Sequence, residues 1–224
     1  MNPSAELFAR PITLILALGL ATLLPFAFMT LTAFVKISTV LQIVRGAIGA
    51  QNVPSSTVIM AFAGALTLLA MAPLGTRLSD RLTPLFAPTA QTETTAWLLS
   101  VGTAAKEPVG SFLKQNASER ERKRFYEIAR AARPPAERER VLPDDLTVIV
   151  PAFVVTELLE AFALGFAIYL PFLVIDLVVA NVLLALGMQM LNPTQVSLPF
   201  KLLLFVAIDG WGLLAQTLVT GYRF

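Results

Sequence analysis

The chain has 224 residues, 56% of them hydrophobic and only 14% charged, with a mean hydropathy of +0.71. A typical soluble chain carries roughly 25% charged residues, so this one cannot cover a water-facing surface and belongs in a bilayer or a large assembly. It contains no Cys and no His, which excludes disulfide and thiolate chemistry, Ser-His-Asp catalysis and His-based zinc or di-iron sites.

Four apolar blocks follow in chain order. Ile12 to Phe34 comes after Arg10 and has the look of a signal peptide, but the run continues without a small-residue cleavage site and reads as a retained first segment. Val58 to Pro73 is short against the roughly 20 residues that a spanning helix needs, Leu146 to Leu170 running on through Pro171 to Leu191 exceeds that length, and Leu202 to Val219 is marginal. The expected fold is all-α: an apolar helical hairpin over 1–73, a charged and partly helical middle region over 74–145, and a second apolar hairpin over 146–224. Lys36 and Arg45 flank the first apolar turn and Lys201 lies in the second. Both turns are therefore expected on the cytoplasmic side, with the middle region and the termini opposite.

The middle region holds twelve Lys/Arg and ten Asp/Glu between Leu74 and Asp145. Both signs are interleaved, so a pI near 9.2 does not imply nucleic acid, whose binding surfaces are one-signed. Ser118 and Glu121 form a capping-box pattern that predicts a helix start. Phe125, Ile128, Ala129 and Ala132 then repeat at helical spacing, expected to pack on neighbouring elements. On the opposite face Glu119 with Lys123 and Glu127 with Arg130 are expected to pair, and Pro134-Pro135 ends the helix. A basic membrane-surface helix is the rival reading, opposed by the interleaved glutamates.

Prolines punctuate the apolar blocks. Pro54, Pro151 and Pro199 suit a first helical turn, where the missing N–H costs nothing; Pro25 and Pro171 fall inside apolar runs, where a kink or break is expected. Ala161 and Gly165 form a small-residue pair that lets another helix approach.

The remaining informative residues are polar ones in apolar surroundings: Lys36, Glu157, Glu160, Asp176, Lys201 and Asp209. Such groups are paired, protonated or functional. Their default role is pairing between helices or subunits that fixes register. Acid-residue ion transport is one alternative. An intramembrane aspartyl protease built on Asp176 and Asp209 is another, although neither aspartate lies in a Tyr-Asp or Gly-x-Gly-Asp setting. Neither a phosphate-binding loop nor a metal-ligand cluster is present, so no catalytic residue, cofactor or metal is assigned.

Three long runs, LPFAFMTLTAFVKISTVLQIVRGAIGAQNVPSSTVIMAF, LPFLVIDLVVANVLLALGMQM and SLPFKLLLFVAIDGW, resemble the FliP/SctR family of type III secretion export-apparatus proteins. LKQNASERERKRF suits the central region of that family, and the short lead-in before Leu24 resembles the virulence branch more than the flagellar one. The resemblance implies a non-enzymatic bacterial inner-membrane protein whose middle region faces the periplasm. It implies about five copies assembled with small SctS/FliQ and SctT/FliR subunits and other export-apparatus proteins into a helical, cone-shaped gate for unfolded secreted proteins, held largely above the bilayer plane. It also implies that the turn at Met188, Gln189 and Met190 projects into the pore as a gasket, for which methionine's flexible, polarizable side chain is suited. Gln189 departs from the family's run of three methionines and would make the seal wetter. The bland reading of the two methionines is hairpin packing.

Overall fold

The computed structural model describes residues 18–19, 21–50, 53–86 and 94–224. Arg10 and the opening of the first apolar block, where the signal-peptide question arises, lie outside the described residues. Among the described residues every regular element is helical, which agrees with the all-α expectation. The chain divides into two compact units. The first comprises the described residues up to Thr32 with Met71–Val154 and Arg223–Phe224; the second comprises Ala33–Ala70 and Val155–Tyr222.

In the first unit, α1 spans Ala21–Leu31. Pro25 does not break it: the helix continues to Leu31, and the Thr30 and Thr32 hydroxyls donate to the Phe26 and Phe28 carbonyls at 2.8 and 2.5 Å. Helix α4 (Ala72–Leu82) carries Pro73 within its first turn. It packs on α5 (Thr94–Asn116), joined by the Arg81–Glu107 ion pair and by the Trp97 indole, which donates to the Leu85 carbonyl at 3.0 Å. Phe112 and Leu113 of α5 and Val148, Ile149 and Phe153 at the start of α7 (Leu146–Ala185) are all buried. Each such side chain withdrawn from water contributes about 1.5–3 kcal/mol. The Phe112 and Phe153 rings meet edge to face at 5.6 Å, and the C-terminal Phe224 stacks on Phe112 at 5.4 Å.

Helix α6 (Glu119–Ala131) starts where the capping box places it: the Ser118 hydroxyl accepts from the Glu121 N–H at 3.3 Å. The rest of the helix departs from the expectation. Its buried residue is Glu121, clamped by Arg120 at 3.0 Å and Arg124 at 2.9 Å. Neither Glu119–Lys123 nor Glu127–Arg130 is among the ion pairs of the described residues; the Arg130 guanidinium lies over the Tyr126 ring instead. The apolar face is only half covered, with Ile128 51% exposed.

In the second unit, α2 (Phe34–Ile48) presents Ile37, Val40, Leu41, Val44 and Ile48 as one stripe, and α3 (Ser56–Ala70) answers with Ile59, Ala63, Leu66 and Ala70. The two helices form a hairpin closed by Gly49, whose φ of 81° ends α2 in a left-handed cap. Helix α7 passes α2 at Gly165, where a Cβ would meet Ile43 Cδ1 at 2.6 Å. The close approach expected at Ala161 and Gly165 is thus made by a helix of the same chain. Helices α8 (Pro193–Ala207) and α9 (Gly210–Thr220) bend by 58° at Asp209, whose φ is 51°. Trp211, next to that bend, meets Phe62 at 5.9 Å and Phe205 at 5.0 Å.

The 40-residue α7 is mostly apolar, with Glu157, Glu160 and Asp176 as its charges, and continues through two prolines. Pro151 is its sixth residue, not part of a first turn, and Pro171 removes one backbone donor without stopping the helix. Pro199 likewise sits inside α8, and Pro54 lies before α3. At 1.5 Å per residue α7 is about 60 Å long, roughly twice the hydrocarbon thickness. By length and composition it is the one helix able to cross a membrane among the described residues, or one of up to four if bent pairs count as spans.

Candidate functional site

The turn carrying Met188, Gln189 and Met190 is fixed at both ends by backbone chemistry. After α7 the Gly187 N–H bonds the Leu184 carbonyl at 3.0 Å and the Met188 N–H bonds the Leu183 carbonyl at 2.9 Å. That pairing is a Schellman stop, which needs a left-handed residue; Gly187 has φ 74°. On the far side the Asn192 carboxamide accepts from the Thr194 N–H at 3.0 Å and Pro193 opens α8, a strong N-terminal cap. Between these stops Met190 is 98% exposed, and Met188 and Gln189 are exposed beside it. Met190 is thus almost wholly free of the rest of this chain, whereas Met188 is about half covered.

Farther down the hairpin, Lys201 of α8 is 2% exposed and binds Asp176 of α7 at 2.6 Å. Its ammonium also donates to the Ala47 carbonyl at 3.1 Å, a favourable place for a cation because it is the C-terminal end of α2. The Ser197 hydroxyl donates to the other Asp176 oxygen at 2.5 Å. An isolated buried ammonium would be costly; here two acceptors satisfy it.

A second knot joins α2 to α7. Lys36 reaches Glu160 at 2.6 Å and Glu157 at 3.4 Å. Glu157 is 1% exposed, and the Tyr222 hydroxyl donates to it at 2.5 Å. The Lys36 ammonium also stands 4.6 Å from the Tyr222 ring centre, a cation–π distance. Burial first, and then the neighbouring Glu157 carboxylate, push the Tyr222 hydroxyl far above the usual phenol range, so it stays a donor.

Of the six polar residues singled out from the sequence, five form these two knots. Asp209 does not: it is exposed, and its carboxylate lies against Gly212, whose missing Cβ leaves the room. Asp176 is engaged by Lys201 and Ser197, so the two aspartates do not form a shared-proton pair, and no group of three potential metal ligands occurs among the described residues. Sequence reasoning missed Ser197 and Tyr222. Ser197 stands one helical turn before Lys201, a spacing that could have revealed it, whereas Tyr222 lies beyond the last apolar block and carries no local signal.

The fold and the knots define an all-helical, membrane-type protein whose buried charges tie helices together. The FliP family model matches residues 17–218. The chain is 41% identical to the hypersensitivity response secretion protein HrcR of Ralstonia nicotianae, over 94% of this chain and 96% of that one. It is also 41% identical to the Yop proteins translocation protein R of Yersinia pestis, with the same coverage, and 36% identical to the flagellar biosynthetic protein FliP of Bacillus subtilis, over 97% of this chain and 94% of that one. The chain belongs to the FliP family.

Proposed function

We propose that this chain is a core subunit of a type III secretion export gate, forming with further copies of itself the entrance channel for unfolded secreted proteins. The observation that carries this reading is a turn capped at both ends, with Met188, Gln189 and Met190 exposed between the caps, in a chain that matches the FliP family over residues 17–218. In a ring of copies such turns converge. Unbranched methionines can close on one another or on a passing polypeptide without a fixed shape, and a ring of Gln189 amides adds hydrogen-bonding groups between them. The role is structural, with transport powered by other components.

The rest of the assignment follows the same reading: an inner-membrane location, a periplasmic middle region, about five copies in a helical cone, and small SctS/FliQ-like and SctT/FliR-like neighbours among the other export-apparatus proteins. Exposed apolar side chains along α7 and α8, such as Phe162, Phe166 and Leu203, supply surface for such neighbours or for lipid. Exposed in this chain, Asp209 is placed at a subunit contact in this reading, and the half-exposed Glu160 has room for a partner's cation besides Lys36.

Replacing Met188 and Met190 together with Ala tests the gasket. The expected outcome is a normal yield of assembled complex with a raised leak of small ions through it. Normal assembly with an unchanged leak would rule the gasket out.

A further inference from the structure

The second unit carries seven charges, and five of them pair with one another in the two knots. The other two, Arg45 and Asp209, have opposite sign. Asp209 is exposed at the bend between α8 and α9, in the N-cap position of α9. An aspartate there ordinarily accepts from the first N–H groups of the helix. With its backbone at φ 51°, Asp209 makes no capping bond, and its carboxylate has no hydrogen-bond or ion-pair partner among the described residues. A bare carboxylate in an apolar, membrane-type unit demands a partner.

Arg45 lines a small polar pocket at the end of α2. The pocket is about 270 Å³ and is bordered by Gln42, Arg45, Gly46, Gly49 and Ala50. Gln42 and Gly46 are the exposed residues of α2, and a Cβ on Gly46 would meet nothing within 4 Å. A glycine inside a helix costs stability relative to alanine, and no contact within this chain uses the space it leaves. Both polar side chains of the pocket bond neutral groups: Arg45 Nη1 donates to the Ser56 hydroxyl at 2.8 Å, and the Gln42 carboxamide to the Met60 sulfur at 3.7 Å. A guanidinium carries five N–H donors in a planar fork, so Arg45 can hold a carboxylate alongside Ser56.

We propose that neighbouring copies join head to tail through these two features, the Asp209 carboxylate of one copy entering the pocket of the next and pairing with Arg45. The inference deepens the export-gate reading and rests on its ring of copies. Copies that follow one another around a ring need two different patches, one on each flank. A cation in a pocket and an uncapped anion on a bend are such a pair. Gln42 supplies a further N–H for the second carboxylate oxygen, and the missing side chain of Gly46 leaves the bend its room. Pairing of Arg with a carboxylate fixes orientation as well as attraction, so it sets the register between copies.

The test is the native mass of the full chain extracted after co-expression with its neighbouring genes. Arg45→Glu sets two carboxylates against each other at every junction and is expected to lower the multimer fraction by about tenfold. Arg45→Gln and Asp209→Asn each remove the attraction, and Asn tolerates the left-handed backbone at position 209. The two together are expected to weaken assembly no more than either alone. Gly46→Leu fills the pocket and is expected to lower the multimer fraction while the chain stays folded, since nothing of the chain stands there. Because the chain has no Cys, direction can be read as well. Chains carrying Gln42→Cys and Ile208→Cys singly are expected to cross-link through a short bismaleimide when co-expressed and not when alone. Additive effects of the two neutral substitutions would overturn the pairing, as would cross-linking absent from the mixture or present in either single-Cys chain alone. Parent multimers that none of these variants weakens would overturn it and leave the gate reading standing; a parent chain without multimers would take both down.

Discussion

At the scale of single residues, five of the six charges singled out inside the apolar runs are paired within the fold. Lys36, Glu157, Glu160, Asp176 and Lys201 were visible in the sequence because a charge inside an apolar run demands a partner. The partners themselves were not legible, since Lys36 and Glu157 stand 121 positions apart and only the fold brings them together. Tyr222→Phe removes the donor that bonds Glu157 at 2.5 Å. Hydrogen bonds to charged groups contribute about 1.5–3 kcal/mol, and a lower melting temperature of the purified complex, without change in its composition, is the expected result. Lys201→Met leaves Asp176 half-buried without its cation and is expected to cost more, about 3–5 kcal/mol, read as loss of assembled complex or a large fall in its melting temperature. Gly187→Ala puts a Cβ at a φ of 74°; about 1–2 kcal/mol is the expected penalty, measured by the same melting curve.

At the scale of elements, periodicity found the helices but misjudged how they end and what they face. Pro171 inside the apolar run from Leu146 predicts a kink or break, yet α7 is one helix of 40 residues. An interior proline ordinarily costs a helix about 3 kcal/mol, yet α7 continues across Pro171. The capping box at Ser118 was legible because it is purely local; the burial of Glu121 was not, because it depends on the two arginines that fold over it. Gly165 offers the sharpest test at this scale. A Cβ there would press on Ile43, so Gly165→Val is expected to force α2 away from α7 and stretch the Lys36–Glu157 contact. Overpacking of this kind costs about 1–3 kcal/mol. Pairing it with Ile43→Ala should restore part of the lost stability, which a thermal melt of the double variant checks.

At the scale of the whole molecule, the composition placed the chain in a membrane or an assembly, and the folded chain keeps that demand unmet. Large apolar side chains remain exposed on α1, α7 and α8, the kind of surface that marks a protein or membrane contact. Helix α7 is about twice as long as the hydrocarbon layer is thick, and in the export-gate reading further subunits cover part of what this chain leaves exposed. The most direct test of the export-gate reading is therefore the mass of the detergent-extracted complex by native mass spectrometry, after co-expression with the neighbouring genes. The expected result is a fixed multimer of this chain carrying smaller hydrophobic subunits. A monomer or dimer without such partners would contradict it.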